Sequence, residues 1–328
     1  MAERVILVTG ATGAIGPRVV SACQAAGFSV RTLSRDPTAR SLFPTSVDVR
    51  VGDVCDGPAV RSAVAGADIV VHLAALLHQF DTAPDLEARF QQVNVAGTEN
   101  VMRAAIAAGV SRLVFLSTIA VYGPSLGRLI DERATPQPDT AYGRTKLAAE
   151  SVVLAATSGG RQIGAVLRAA AIYGPRVKGN YQRLAIAIAR HRYVALGRNL
   201  NRRTLVHDRD LAQAVVLAAT HPAAAGACFN VTDGHVYTLD EIVNAIYGGL
   251  GRRPSRFHVP MALARAGAVL CERVFPAVGR RPPLTRALLD KYTEDIAVDG
   301  TFIQRTLGFV PTIDLNEGWR ETMAAFRC

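Results

Sequence analysis

Short, nearly continuous apolar runs alternate with longer Ala-rich stretches through the first 170 residues. Arg4–Val8, Ser29–Leu33, Val47–Val51, Asp68–Leu73, Arg112–Leu116 and Ile163–Leu167 are rich in β-branched residues and have the length of strands. Between them, Ile15–Ala26 reads as a helix closed by Gly27, and Asp85–Ala108 and Tyr142–Ala156 read as longer helices. Such alternation implies parallel strands joined by right-handed crossovers, hence an α/β, doubly wound parallel sheet. Strands without polar alternation, such as Val5–Val8, fit a sheet covered by helices on both faces.

The alternation is lost after Tyr173-Gly174-Pro175, where Pro, Gly and Arg become more frequent. Leu211–Ala219, Leu239–Tyr247 and Leu284–Tyr292 read as helices, so a smaller, mostly helical C-terminal part is expected beside the crevice at the strand ends.

Composition narrows the class. The chain has 328 residues, 49% of them hydrophobic and 20% charged, which suits a globular protein with a large core. The net charge of +10 is carried by scattered Arg pairs (Arg202-Arg203, Arg252-Arg253, Arg280-Arg281) and no long basic block, so no nucleic-acid partner is expected. The basic surplus reads mainly as a solvated surface, with attraction of an anionic substrate and cofactor as the alternative.

Five widely spaced cysteines, with no CxxC pair, form neither a disulfide framework nor a metal pattern. A reducing, cytoplasmic setting follows, with no metal. The apolar run Val5–Val8 ends at once in Thr9-Gly10 and is no signal peptide. No stretch approaches the ~18 apolar residues of a membrane span, so no membrane partner is expected. The nearest candidate, Met261–Phe275, is interrupted by Arg265, Glu272 and Arg273 and reads as an amphipathic helix.

Residues 9–16 (TGATGAIG) join the first strand to the first helix. Gly10 permits a tight turn, Gly13 lets backbone N–H groups approach a pyrophosphate, and Gly16 lets the helix pack on the sheet. Ala14 and Ile15 open the helix, whose unpaired N–H groups and partial positive charge suit phosphate. Ser34 and Arg35 follow the second strand, where a dinucleotide's adenosine ribose would lie. A guanidinium there favours NADP(H), with NAD(H) the alternative and Asp36, one residue later, a competing acceptor. Asp53 and Val54 follow the third strand, placed to flank the adenine.

Tyr142 and Lys146 stand four residues apart at the start of a helix and so share one face. Phenols ionise near pH ~10, and a neighbouring ammonium together with a nicotinamide that is cationic when oxidised favours the phenolate. The pair thus reads as a general acid/base with its activator, Lys146 also being able to hold a nicotinamide ribose. Thr118, at the end of the fifth strand, has a hydroxyl suited to the reacting oxygen.

Together these motifs resemble the extended short-chain dehydrogenase/reductases, specifically the NAD-dependent epimerase/dehydratase group that acts on nucleotide sugars. The resemblance covers the whole chain and rests on residues 9–16, 52–54 (GDV), 72–75 (HLAA), 94–98 (NVAGT), 117–123 (STIAVYG), 142–146 (YGRTK), 172–175 (IYGP) and 203–212 (RTLVHDRDLA).

It implies a Rossmann domain over 1–173, completed by parts of 204–232, and a substrate-binding domain over 174–203 and 233–328. It further implies Tyr142 as acid/base, Lys146 as activator and Thr118 as hydroxyl partner. Asn94 would support the site, Ala74 would line the cofactor path, and Asn180 and Arg203 would bind a nucleotide diphosphate. His72 reads as structural. A homodimer through the helices Asp85–Ala108 and Tyr142–Ala156 is also implied.

Departures from the family pattern narrow the reaction. Ile119 and Ala120 replace the Asp-Glu of sugar dehydratases and cannot transfer protons. Ser34 replaces the Asp with which typical 4-epimerases hold NAD, and Ala171 replaces a family Asn. Residues 168–180 resemble the UDP-4-keto-sugar reductases of surface-polysaccharide synthesis.

Two readings follow: net reduction of a 4-keto group on a UDP-linked sugar, slightly ahead, and 4-epimerisation of a UDP-sugar. A cofactor-sensing protein without chemistry is a third, opposed by the Tyr142/Lys146 pair. A 3β-hydroxysteroid dehydrogenase is opposed by Arg203. Arg280, Arg281 and Arg286 would reach a phosphate or only water.

Overall fold

The structure is a computed structural model and describes residues 4–77, 85–254, 257–277, 280 and 282–326. Its centre is a seven-stranded parallel sheet. The strands are β1 (Val5–Thr9), β2 (Ser29–Ser34), β3 (Asp48–Val51), β4 (Ile69–His72), β5 (Arg112–Thr118), β6 (Gly164–Ala169) and β7 (Cys228–Val231). They lie in the order β3-β2-β1-β4-β5-β6-β7, every pair parallel. Strand order reverses between β1 and β4, which opens a crevice at their carboxyl ends.

Strand alternation divides the sheet's side chains between two cores. Ile6 and Val8 point to the face covered by α1 (Gly16–Ala25) and α7 (Asp208–Thr220), among Val19, Leu211 and Val215. Leu7, Val70 and Phe115 point to the opposite face, under α2 (Gly57–Val64), α4 (Gly97–Ala107) and α5 (Ala141–Leu154). Both faces are buried, as the unbroken apolar strands predict.

The helix expected over Asp85–Ala108 is continuous but not uniform. A short α3 (Leu86–Phe90) runs through a π turn at Gln91–Ala96 into α4. The wider turn changes helical register and aims Asn94 inward, where it is 1% exposed.

Beyond β6 the chain forms α6 (Asn180–Ala189), α8 (Leu239–Gly249), α9 (Met261–Ala277), α10 (Arg286–Thr293), α11 (Thr301–Leu307) and α12 (Leu315–Ala325). A third core joins α6, α8 and α12 around Ile188, Ile242, Ile246 and Trp319. Helix α8 starts in a capping box, with Thr238 and Glu241 bonding each other's backbone N–H. No described helix is long and apolar enough to cross a membrane.

One polar link crosses the sheet beneath α5. Arg168 on β6 donates from Nε and Nη2 to the Glu150 carboxylate of α5, at 3.1 and 2.6 Å, and from Nη1 to the Tyr122 hydroxyl at 2.8 Å. Ser117 of β5 also donates to Glu150, and Tyr122 donates to Asn230 of β7 at 2.9 Å. Both charges are buried, so each depends on the other. Arg168→Ala should cost about 3–5 kcal/mol in urea unfolding, because it strands the Glu150 carboxylate. Arg168→Met with Glu150→Leu should recover most of that loss.

Candidate active site

A cavity of about 530 Å³ follows the crevice from the turn after β1 to the C-terminal helices. Gly10, Gly13, Ala14, Ile15, Ser34, Arg35, Asp53, Val54, Ala74, Thr118, Tyr142, Lys146 and Asn180 all border it. Gly16 lies just inside α1, buried. Residues proposed separately from sequence therefore converge on one space.

The turn after β1 depends on Gly10. Its φ is +70°, and an added Cβ would lie 2.6 Å from the Ala74 nitrogen, so the two backbones touch. Helix α1 starts after Ile15 without a side-chain cap; the Gly16 N–H bonds the Gly13 carbonyl at 3.3 Å, and Pro17 has no N–H to satisfy. A backbone cradle too close for side chains, at an uncapped helix start, fits the diphosphate of a dinucleotide.

Farther along, Asp36 is occupied: its Oδ1 accepts from the Thr38 N–H and hydroxyl at 2.8 and 2.7 Å. Arg35 remains exposed and leans on Asp53, 3.8 Å away. Asp53 Oδ1 also accepts from the Cys55 N–H at 2.9 Å. This end of the cavity is thus bordered by Ser34 and a guanidinium, with Asp36 engaged in capping its own turn.

The segment that follows β4 is tied down at Ala74 and at Leu76. The Ala74 N–H reaches the Thr9 hydroxyl at 3.4 Å, and Thr9 bonds His72 Nδ1 at 2.7 Å. His72 Nε2 bonds the Thr98 hydroxyl at 3.0 Å, which donates to the Asn94 carbonyl at 2.7 Å. The Asn94 side chain accepts from Leu76 N–H at 2.7 Å and donates to Leu76 O and Thr145 Oγ1, both at 3.2 Å. Burial pushes His72 down to about 3, so it is a neutral strut and not a proton carrier.

At the reacting end, Thr118 Oγ1 accepts from Ala120 N–H at 3.2 Å, leaving its own proton to donate. Helix α5 starts at Thr140, which caps Gly143 N–H at 3.1 Å. A Cβ on Gly143 would meet the Ala120 carbonyl at 2.7 Å, so glycine brings the Tyr142 turn against the segment after Thr118. Lys146 is 2% exposed and sits over the Phe115 ring, 3.8 Å from its centre. It makes no other hydrogen bond or cation–π contact among the described residues.

In the protein alone, burial pushes the Tyr142 phenol up to about 12. The same desolvation lowers Lys146 to about 7, against a smaller upward pull from Glu150. A dry wall disfavours both charges more than the residues support each other. Tyr142 therefore stands as a protonated acid.

Arg203 is brought only to the edge of this arrangement. Its guanidinium donates to the Tyr292 and Arg202 carbonyls at 3.2 and 3.3 Å and lies near Tyr181, which does line the cavity. Arg286 is held by Glu272 at 2.8 Å, Arg280 is exposed, and Arg281 lies outside the described residues. Sequence reading missed Trp319, Thr322 and Phe326 of α12, which also line the cavity. Their signal was present as an Asp314 cap followed by Leu315, Trp319 and Met323 at helical spacing.

A cleft at the switch point of a doubly wound sheet, with a phosphate-binding turn and a Tyr/Lys pair, defines a nicotinamide-dependent oxidoreductase. Residues 6–232 match the NAD dependent epimerase/dehydratase family, and the chain belongs to it. It is thus an enzyme of the extended short-chain dehydrogenase/reductase type.

A UDP-glucose 4-epimerase of Vibrio cholerae is 28% identical over 98% of this chain and 95% of its own. A 2-alkyl-3-oxoalkanoate reductase of Stenotrophomonas maltophilia is 30% identical over 98% of each. The structure of MoeE5 in complex with UDP-glucuronic acid and NAD superposes with a TM-score of 0.75 at 26% identity, over 98% of both chains.

The buried lysine predicts a pH effect. With its folded pKa near 7 against an ordinary 10.5, Lys146 binds fewer protons folded than unfolded across that window. Its contribution makes stability rise with pH from about 7 to 10.5 and adds nothing more above that range. Lys146→Met should flatten the slope, measured as urea midpoints between these pH values without added nucleotide.

Proposed function

We propose that this protein is an NAD(P)H-dependent reductase acting at C4 of a UDP-linked sugar, reducing a 4-keto group. The observation that carries this reading is the meeting of Thr118, Tyr142 and Lys146 at one cavity wall with the phosphate turn at the other end. Gly10, Gly13, Ala14 and Ile15 would hold the diphosphate, Asp53 and Val54 the adenine side, and Lys146 the nicotinamide ribose. When bound, the nicotinamide supplies the hydride.

The chain's own residues handle the substrate oxygen. Thr118 donates a hydrogen bond to it, and Tyr142 gives it a proton as the carbon is reduced. A phenol kept protonated by burial is in the right state for that direction. Lys146 stabilises the phenolate that remains until it is reprotonated. Asn180 borders the sugar-nucleotide end, and Arg203 supports it through Tyr181. The 30% identity to a ketone reductase also favours net reduction.

A second reading, 4-epimerisation of a UDP-sugar, is favoured by the Vibrio cholerae relative. It uses the same residues but returns the hydride to the opposite face. The purified enzyme separates the two: consumption of NADPH with a UDP-4-keto sugar supports reduction. Interconversion of UDP-sugars by protein carrying its own tightly held NAD, with no added cofactor, overturns it. A 3-oxoalkanoate belongs in the same panel, since turnover of it alone would remove the nucleotide from the proposal.

Tyr142→Phe removes the proton donor and should lower kcat by about 10²–10⁴-fold, with the nucleotide dissociation constant nearly unchanged. Arg35→Ala should weaken NADP(H) roughly tenfold or more while leaving NAD(H) within a few-fold, measured by titration calorimetry.

A further inference from the structure

Helix α9 is built with its bulk facing outward. Its buried positions are Ala264 and Ala268, packed against Leu289 of α10, whereas Leu263, Leu270 and Val274 are 64%, 62% and 48% exposed. Their spacings of seven and four set them in one narrow stripe along the helix. An amphipathic helix on a globular core presents the reverse arrangement.

Charge is concentrated in the same part of the chain. The sequence from 252 to 293 carries nine Lys/Arg against two Asp/Glu, a net +7 of the chain's +10. Both acids are already paired, Glu272 with Arg286 at 2.8 Å and Asp290 with Arg265 at 2.7 Å. Arg252, Arg253, Arg273 and Arg280 are exposed, and none pairs with a carboxylate among the described residues. The scattered basic surface read from the sequence is thus weighted toward one structural unit. Lys291 of α10 reaches Asp139, 3.3 Å away and just ahead of α5, which ties this unit to the turn before that helix.

We propose that the exposed stripe of α9 lies on an anionic lipid surface, a peripheral docking site. Leucines and valine enter the boundary between headgroups and acyl chains, and the surrounding arginines meet lipid phosphates. The helix lies on the membrane and does not span it, in keeping with its length and its charges. A second copy of the chain fits this face poorly. Two-fold packing of α9 on itself would bring two segments of like charge together. The inference does not depend on the substrate.

Sedimentation with vesicles tests it, using the full-length protein. Vesicles of phosphatidylcholine and phosphatidylglycerol in equal parts should pull the protein down, and pure phosphatidylcholine should not. Added salt should weaken the binding. Leu263→Ser with Leu270→Ser, at exposed positions away from the catalytic residues, should reduce it roughly tenfold or more at an unchanged thermal midpoint. Arg273→Glu should reduce it as well. Failure of the native protein to bind anionic vesicles overturns the proposal, as does full binding by the double-serine variant. So does a dimer, seen by sedimentation equilibrium, that the same substitutions dissociate.

Discussion

One buried imidazole ties together the segments that wall the crevice. His72 joins the end of β4 to Thr9 on β1 and to Thr98 on α4, and each hydroxyl passes the constraint onward, to Ala74 on one side and Asn94 on the other. With Asn94 gripping both polar backbone groups of Leu76, the chain beside the cavity is held at Ala74 and again at Leu76. An imidazolium would have no acceptor for its second proton, since the Thr9 hydroxyl would have to turn. Desolvation excludes that state. Function thus begins with a residue that does no chemistry. Its neighbours form the wall along which a cofactor would lie.

Much of this was legible in local sequence. Strand length and apolar continuity marked six of the seven sheet strands, and glycine spacing marked the turn between β1 and α1. The face shared by Tyr142 and Lys146 follows from helical geometry alone. Strand β7 was less visible: Cys228–Val231 is short and becomes a strand by pairing with β6, far away in sequence. Helix α6 was missed because Leu184-Ala185-Ile186-Ala187-Ile188 carries β-branched alternation, while its burial against α8 favours a helix.

Other features arise only in three dimensions. Charge states at the reacting end depend on how dry the wall is, and spacing on a helix says nothing of that. Arg203 shows the same limit, because a motif locates a guanidinium along the chain without fixing which carbonyls it meets. Tyr292, which captures it, lies 89 residues away. The wall from Trp319, Thr322 and Phe326 was overlooked in a segment whose helical period is clear once its cap is noticed.

The contact between Gly143 and the Ala120 carbonyl carries a consequence for divergence within such folds. There the Thr118 hydroxyl and the Tyr142 phenol are gauged by main chain resting on main chain, without an intervening side chain whose size can drift. The lining of the pocket is free to be rebuilt residue by residue while that gauge stays constant. A scaffold of this kind can exchange one carbonyl compound for another without re-solving the geometry of proton delivery.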